Sequence, residues 1–144
     1  MSIEWSSAVA VITGAGSGIG RAAAHSFARR GSRVVVTDID GDRAATVVGE
    51  LGRHAVGARC DVTALTDLEA ARDLALERFG RVDLVMNNVG VLAVGPVEAI
   101  PFEAWERVVD VNLLGVVRSN LVFLPLLLDQ GSGHVVNTAS TAGL

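Results

Sequence analysis

The sequence of 144 residues contains no tyrosine and no lysine, because all 12 of its basic residues are arginine. These residues therefore offer no lysine for a Schiff base or a P-loop and no tyrosine to act as an acid. The single cysteine, Cys60, can form neither an internal disulfide nor a cysteine-based metal cluster, which is typical of a reducing cytoplasm. Cys60 is expected to be a small buried apolar residue.

Positive charge is also scarce. The formal net charge is −4, and the arginines are scattered without a basic patch, which argues against a nucleic-acid partner. His25, His54 and His134 lack the spacing of metal ligands, so the sequence predicts no metal site. Half of the residues are hydrophobic and 19% are charged, which excludes a disordered chain and suits one domain with a core.

The hydrophobic runs are too short for a targeting signal or a membrane span. Ala8–Ile12 is shorter than a signal peptide and has no basic residue before it. Leu113–Leu128 falls short of the roughly 20 residues of a membrane span, and Arg118, Asn120 and Pro125 interrupt it. The sequence therefore predicts a buried or interface helix, no membrane association and a cytoplasmic protein.

Short β-branched runs alternate with longer helical patterns along the chain. The predicted strands are Ala8–Thr13, Arg33–Asp38, His54–Asp61, Val82–Asn87 and His134–Thr138, and the predicted helices cover 18–30, 42–51, 66–79 and 102–129. The nearly continuous apolar runs are typical of parallel strands covered on both faces. Residues 1–144 are thus predicted to form one α/β domain with a doubly wound parallel sheet, a Rossmann-type, three-layer α/β/α arrangement.

Local signals refine this expectation. Thr66 and Glu69 have the spacing of a capping box at the start of the third helix. Pro125 should bend or end the fourth helix. A last strand at His134–Thr138 would leave an exposed sheet edge, so the fold is expected to be incomplete at its C-terminus.

A glycine-rich turn follows the first strand and opens the first helix. Thr13–Gly20 reads T-G-A-G-S-G-I-G, and Gly14, Gly18 and Gly20 fit the pattern G-x-x-x-G-x-G. These glycines permit a tight turn, a close approach of backbone to a pyrophosphate and close packing of helix on sheet, while the helix N-terminus offers free N–H groups to phosphates. The candidate cofactor-binding residues of this turn are Gly14, Ser17, Gly18, Ile19 and Gly20.

An ordinary glycine-rich loop is the alternative interpretation of this turn, and Asp38 argues against it. It ends the second strand about 20 residues after the turn, where a carboxylate that binds the adenosine ribose belongs. Its charge should repel a 2′-phosphate, and no basic residue at Ser17 or Ile39 offsets that repulsion. The sequence therefore predicts NAD rather than NADP.

Four further motifs follow in order along the chain. They are Asp61-Val62 at the end of the third strand, Asn87-Asn88-Val89-Gly90 after the fourth, Trp105–Gly115 (W-E-R-V-V-D-V-N-L-L-G) in the fourth helix, and Asn137-Thr138-Ala139-Ser140 at the end of the fifth strand. Together with Thr13–Gly20 they resemble the short-chain dehydrogenase/reductase family over the whole sequence. Val89 departs from the family's pattern, which has alanine there.

The resemblance implies hydride transfer between a nicotinamide and an alcohol or carbonyl substrate. It implies catalytic roles for Ser140 and Asn112 and cofactor contacts at Asp61, Val62, Asn88 and Gly90, whereas Asn87 should bridge neighbouring strands. The family's proton donor, the tyrosine of Y-x-x-x-K, and its lysine would lie beyond Leu144. These residues alone are therefore expected to show no turnover.

Three functions remain open from the sequence. The first is an NAD-dependent alcohol dehydrogenase or ketoreductase that acts on a secondary alcohol or ketone and forms a homodimer or homotetramer through the helix around Asn112–Leu128. The second is a catalytically inactive NAD-binding module, and the third is a structural partner. The identity of the substrate is not encoded in these motifs.

Overall fold

The computed structural model describes residues 3–141, and its strands form one five-stranded parallel sheet. The strands are β1 Val9–Thr13, β2 Arg33–Asp38, β3 Ala55–Arg59, β4 Leu84–Asn87 and β5 His134–Asn137. Their order across the sheet is β3-β2-β1-β4-β5. This order and the flanking helices confirm the predicted doubly wound α/β fold.

The helices connect successive strands. They are α1 Gly18–Arg29, α2 Gly41–Leu51, α3 Leu65–Phe79, α4 Phe102–Val109 and α5 Gly115–Gln130, with a π-helical segment at Asp110–Leu114 and 3₁₀ turns at Gly52–His54 and Val97–Ala99. The predicted bounds of β2 are reproduced, whereas His54 belongs to a turn and Asp61 lies two residues beyond the end of β3.

Alternate residues of each strand point to opposite layers of the core. In β1, Ala10 and Ile12 pack in the cluster that holds Val47 of α2, whereas Val11 packs in the cluster that holds Phe123 of α5. All five of these apolar side chains are almost completely buried. Burial on both faces explains why the strands are continuous apolar runs rather than alternating ones.

The predicted capping box at the start of α3 is wrong. The helix begins at Leu65 with Ala64 at the N-cap, and no side chain caps it. Thr66 already lies inside the first turn, because the backbone reverses at the end of the preceding segment, where the Ala64 N–H donates to the Asp61 carbonyl at 3.0 Å. Near this end of the helix, the carboxylate that accepts a backbone N–H belongs to Asp67 rather than Glu69, and the N–H is that of Asp61.

The predicted fourth helix is continuous but irregular. It runs from Phe102 to Gln130 through the π-helical segment, and Pro125 lies inside it without ending it. Arg118 braces the irregular segment, because its guanidinium donates to the Asp110 carbonyl at 3.2 Å and pairs with the Asp110 carboxylate at 2.6 Å. Single π-helical turns of this kind are frequent at functional sites.

Length and hydropathy alone would let this 29-residue helix cross a membrane, the one such helix within residues 3–141. Its contacts indicate a core helix instead. Val122, Phe123 and Leu127 are buried in the cluster that α3 and the sheet complete. The helix thus covers one face of the sheet, while its opposite face is exposed.

Candidate functional site

The candidate site lies at the edge of the sheet where the parallel strands end. The chain builds β2 and β3 on one side of β1 and β4 and β5 on the other, so β1 and β4 mark the topological switch point. Open α/β sheets bind ligands in the crevice outside the carboxyl ends of the strands at such a point. The residues predicted from the sequence follow the strand ends and therefore come to this one edge.

The glycine turn has the backbone geometry that its sequence predicts. Gly14 and Gly18 have φ angles of +66° and +52°, a region that favours glycine. A Cβ built on Gly18 would meet nothing within 4 Å, so the space above the turn is open. A Cβ on Gly20 would lie 2.2 Å from the Gly14 carbonyl oxygen, so glycine is needed for α1 to pack this closely.

The N-terminus of α1 is available to an anion. Ser17 is at the N-cap but makes no side-chain capping bond, and Ile19 is 65% exposed. The first N–H groups of a helix have no partner within the helix and carry its positive dipole end. Here they lie directly beside the open space above Gly18, which suits a pyrophosphate.

Asp38 ends β2 beside this turn and is 6% exposed. Its Oδ2 accepts the Gly16 N–H at 3.0 Å, and its Oδ1 accepts the Asp40 N–H at 3.0 Å. A carboxylate oxygen has two lone-pair positions, so each can accept one more hydrogen bond. The carboxylate can therefore accept both hydroxyl groups of a ribose while the backbone holds it in place.

Gly16 is a site residue that the glycine pattern of the sequence did not include. A Cβ at this position would lie 2.7 Å from Asp38 Oδ2 and 2.7 Å from the Arg43 Cβ, so a side chain here would displace the carboxylate. Its signal in the sequence is an additional glycine between Gly14 and Gly18.

Arg43 is a second residue that the sequence did not suggest. It lies on α2 beside Gly16, and its guanidinium pairs with the Asp40 carboxylate at 3.1 Å. In the sequence, the positions at which a cation could accept a 2′-phosphate are Ser17 and Ile39, whereas Arg43 reaches the same region from α2. The spacing of one helical turn from Asp40 could have drawn attention to Arg43.

Asp61 follows β3 in a tight turn. Its Oδ1 accepts the Thr63 N–H at 2.9 Å and the Thr63 hydroxyl at 2.7 Å. These two bonds, assisted by the charge of Arg59, lower the pKa of the Asp61 carboxyl, so it is ionised at neutral pH. The next residue, Val62, is buried against Gly115 of α5, whose built Cβ would lie 3.0 Å from Val62 Cγ2.

Cys60 lies between β3 and Asp61 and is 3% exposed, which confirms that it is a buried residue. Burial, followed by the charge of Asp67, raises the pKa of the Cys60 thiol to about 12. A neutral thiol is a poor nucleophile and metal ligand. Cys60 therefore contributes packing.

Asn88 ties three strand ends together. Its backbone N–H donates to Thr13 Oγ1 at 3.1 Å, and its Nδ2 donates to the Gly14 carbonyl at 3.4 Å. Its Oδ1 accepts the Thr138 hydroxyl at 3.2 Å. The side chain thus links the segments after β1, β4 and β5 at the switch point.

The neighbours of Asn88 support the same junction. Asn87 Nδ2 donates to Asn137 Oδ1 at 2.9 Å, so the expected bridge between β4 and β5 is confirmed. Val89, where the family has alanine, packs on the glycine turn: its Cγ2 lies 3.0 Å from a Cβ built on Gly14.

Asn112 lies in the π-helical segment and is exposed. Its Oδ1 accepts the Val91 N–H at 2.8 Å, and its Nδ2 donates to the Val91 carbonyl at 2.9 Å. A Cβ on Gly90 would lie 3.8 Å from Asn112 Oδ1. Asn112 therefore holds the loop after β4 against the long helix.

Ser140 is exposed three residues after β5, at the same edge as the glycine turn. The segment before it is fixed, because the Thr138 N–H donates to the Asn87 carbonyl at 2.9 Å.

The residues at this edge thus form three hydrogen-bonded networks. The first contains Gly14, Asn88 and Thr138, the second contains Gly16 and Asp38, and the third contains Val91 and Asn112. Asp61 lies at the far end of the edge.

A dinucleotide fits these residues. The open space above Gly18 leaves room for phosphates, and the fixed Asp38 carboxylate retains two acceptor positions for a ribose. Within residues 3–141, no group of three His, Cys, Asp or Glu side chains is arranged to hold a metal ion. The fold and this site define a dinucleotide-binding domain of the Rossmann type.

Comparisons with known proteins identify the family. The family described as short chain dehydrogenase matches residues 8–144. Cyclohexanol dehydrogenase of Acinetobacter sp. (strain SE19) is 43% identical over 148 aligned positions, which cover 100% of this chain and 59% of that protein. Galactitol 2-dehydrogenase of Agrobacterium fabrum is 37% identical, over 94% of this chain and 53% of the relative.

Solved structures agree. A short-chain dehydrogenase/reductase from Burkholderia phymatum in complex with NAD has a TM-score of 0.94 and 42% identity, with 99% of this chain and 52% of that chain covered. The 3-ketoacyl-(acyl-carrier-protein) reductase of Brucella melitensis, complexed with NADH, has a TM-score of 0.89 and 36% identity, covering 94% and 58%. The chain belongs to the short-chain dehydrogenase family, and it spans about half the length of the relatives it matches.

Proposed function

We propose that the protein carrying this chain is an NAD-dependent oxidoreductase that interconverts a secondary alcohol and a ketone. The observation that carries the proposal is the Asp38 carboxylate, fixed by the Gly16 N–H at 3.0 Å beside an open glycine turn. Family membership and the names of relatives such as cyclohexanol dehydrogenase support the reaction class. Residues 1–144 are then its NAD-binding domain.

Each part of the cofactor has a candidate partner in this domain. The pyrophosphate would lie over Ser17–Gly20, the adenosine ribose would donate its hydroxyls to Asp38, and the adenine would contact Asp61 and Val62. The nicotinamide side would lie near Asn88 and Gly90. When bound, NAD supplies the carbon that accepts or donates the hydride.

The electrostatics of the ribose site favour NAD over NADP. Asp38 carries a charge that repels a 2′-phosphate, and desolvation at its buried position strengthens that repulsion. Arg43 is the nearby cation, but its guanidinium is already paired with Asp40 at 3.1 Å. The Asp40 carboxylate thus reduces the positive charge that Arg43 could offer to a 2′-phosphate.

Two residues are proposed to act on the substrate side. The Ser140 hydroxyl would donate a hydrogen bond to the substrate oxygen, and Asn112 would order the proton path while it holds Val91. Neither is a proton acceptor poised near neutral pH, as general base catalysis requires. The resemblance to the family assigns proton transfer to a tyrosine and a lysine, and these 144 residues contain neither.

Assembly is part of the same proposal. Five apolar side chains project from one stripe of the long helix and are 40% or more exposed. This apolar stripe consists of Leu113, Val117, Leu121, Leu124 and Leu128. Its spacing of three and four residues keeps it on one helix face, and an exposed patch of this kind marks an interface. We propose a cytoplasmic homodimer or homotetramer.

The test is a turnover assay on the whole protein, which follows nicotinamide absorbance with a panel of secondary alcohols and NAD⁺. Turnover is expected, and Ser140→Ala should reduce it by at least about a hundredfold, as loss of a transition-state hydrogen bond does. A protein that consists of residues 1–144 alone is the negative control, because it is expected to show no turnover. NAD binding without turnover by the whole protein would favour the inactive binding module.

A further inference from the structure

Asp67 lies outside the assigned site but is hydrogen-bonded to Asp61, one of its residues. It lies in the first turn of α3, and its Oδ2 accepts the backbone N–H of Asp61 at 2.9 Å. The same oxygen accepts Nη1 of Arg59 at 3.0 Å. One carboxylate oxygen thus fixes the last residue of β3 and the turn that follows it.

This contact determines where the Asp61 backbone goes. The preceding residue still continues the ladder, because the Cys60 N–H donates to the Asp38 carbonyl at 2.8 Å. At Asp61 the N–H turns to Asp67 instead, and the chain leaves the sheet. The bond to Asp67 therefore sets the point at which Asp61 and Val62 depart from the strand.

The Asp61 side chain is held in the same way. Thr63 donates twice to Oδ1, at 2.9 and 2.7 Å. Within residues 3–141 no hydrogen-bond partner is seen for Oδ2, the other oxygen. The bond from the Asp61 N–H to Asp67 and the two bonds from Thr63 together fix the direction of this remaining acceptor.

We infer that Asp67 is a positioning residue for recognition of adenine: it holds Asp61 so that its free carboxylate oxygen can accept the exocyclic amino group of the base. The inference rests on the proposed function, because it needs a dinucleotide at the strand ends. Without Asp67 the Asp61 N–H loses a charged partner, and within residues 3–141 the bond from the Ala64 N–H to the Asp61 carbonyl at 3.0 Å is what still holds the backbone at this residue.

The probe is a pair of dinucleotides that differ at the amino group. Nicotinamide hypoxanthine dinucleotide carries a carbonyl oxygen where NAD⁺ carries the amino group, so this position of the base can no longer donate a hydrogen bond to Asp61. The dissociation constants of both are measured by calorimetry on the whole protein, and their ratio reports adenine recognition. A loss of folded protein lowers the number of sites but leaves this ratio unchanged.

Three variants separate positioning from fold. Asp67→Ala should weaken NAD⁺ binding about tenfold and bring the ratio close to one, a loss comparable to that of one hydrogen bond to a charged group. Asp67→Asn keeps an oxygen that can accept both donors, so it should retain most of the preference. Asp73→Ala removes an exposed carboxylate of the same helix, paired with Arg72 at 2.8 Å, and should change neither constant.

The outcomes are distinct. A wild-type preference for NAD⁺ that Asp67→Ala abolishes and Asp67→Asn restores supports the inference. An unchanged ratio in Asp67→Ala, or no preference in the wild type, overturns it while leaving NAD binding intact. Failure of the wild type to bind either dinucleotide overturns the proposed function itself.

Discussion

At the scale of single residues, the site depends on carboxylates that the backbone has already oriented. Asp38 is held by the N–H groups of Gly16 and Asp40, and Asp61 by Thr63 and, through its own N–H, by Asp67. Groups held in this way lose little conformational freedom when a ligand binds. The proposed preference for NAD would therefore be built into the turn before any ligand arrives.

The first prediction concerns that preference. Asp38→Ala combined with Ile39→Arg should shift the ratio of NAD⁺ to NADP⁺ dissociation constants by at least about tenfold towards NADP⁺, since it replaces a repulsive charge by an attractive one. Calorimetry on the whole protein measures both constants. Asp42→Ala, which removes an exposed carboxylate from the first turn of α2, is the control. A wild type that prefers NADP⁺ would contradict the role of Asp38.

The second prediction concerns pH. The folded state lowers the pKa of Asp61 through its bonds to Thr63, so this contribution to stability is present above the ordinary carboxyl pKa, about 4. It is lost as the pH falls through the lower, folded pKa. Thr63→Val keeps the backbone bond and loses only the hydroxyl bond, so at this solvent-screened site it should cost about 0.5–1 kcal/mol in the free energy of unfolding at pH 7. Urea unfolding at several pH values should show the cost shrinking in acid; a cost independent of pH would refute the assignment.

At the scale of elements, the sequence predicted the parts that depend on apolar pattern alone. β2 has the predicted bounds, because its buried run ends abruptly at the polar Asp38. The start of α3 could not be predicted, because Asp67 is used by a long-range bond to the Asp61 backbone rather than by a local cap. The π-helical segment around Asn112 also has no local sequence signal.

A glycine on each of two helices tests how tightly the elements pack. Gly20→Ala should destabilise the fold by about 1–3 kcal/mol, since its Cβ would lie 2.2 Å from the Gly14 carbonyl oxygen. Gly49→Ala is the matched control, because a Cβ on that helical glycine of α2 meets nothing within 4 Å. It should stabilise by about 0.5–1 kcal/mol. Equal melting temperatures for the two variants would contradict the close packing of α1.

At the scale of the whole molecule, the apolar stripe predicts assembly. Light scattering at micromolar concentration should show a dimer or a tetramer, and Leu121→Arg with Leu128→Arg should reduce the assembly to smaller species, because two charges would be buried in the interface. Val94→Arg, which replaces an 89% exposed apolar side chain in the loop after β4, should leave the mass unchanged. A monomeric wild type would show that the stripe serves another purpose.

The site as a whole was predictable where residues follow strand ends. The fold class and the family follow from the glycine turn, Asp38 and the later motifs, and both are confirmed. Gly16, Arg43 and Asp67 were not predicted because their importance lies in contacts between elements. The additional glycine and the spacing from Asp40 point to the first two, whereas no local pattern indicates the bond from the Asp61 N–H to Asp67. The assigned roles of Ser140 and Asn112 remain predictions.

The proposed cofactor site is tested most directly by a crystal structure of the whole protein grown with NAD⁺. The pyrophosphate is expected at the N-terminus of α1 above Gly18, and both hydroxyls of the adenosine ribose are expected on Asp38. The carboxylate should keep its bonds to Gly16 and Asp40 while it accepts them. A dinucleotide bound away from the carboxyl ends of the strands, or a ribose that does not contact Asp38, would contradict the proposed site.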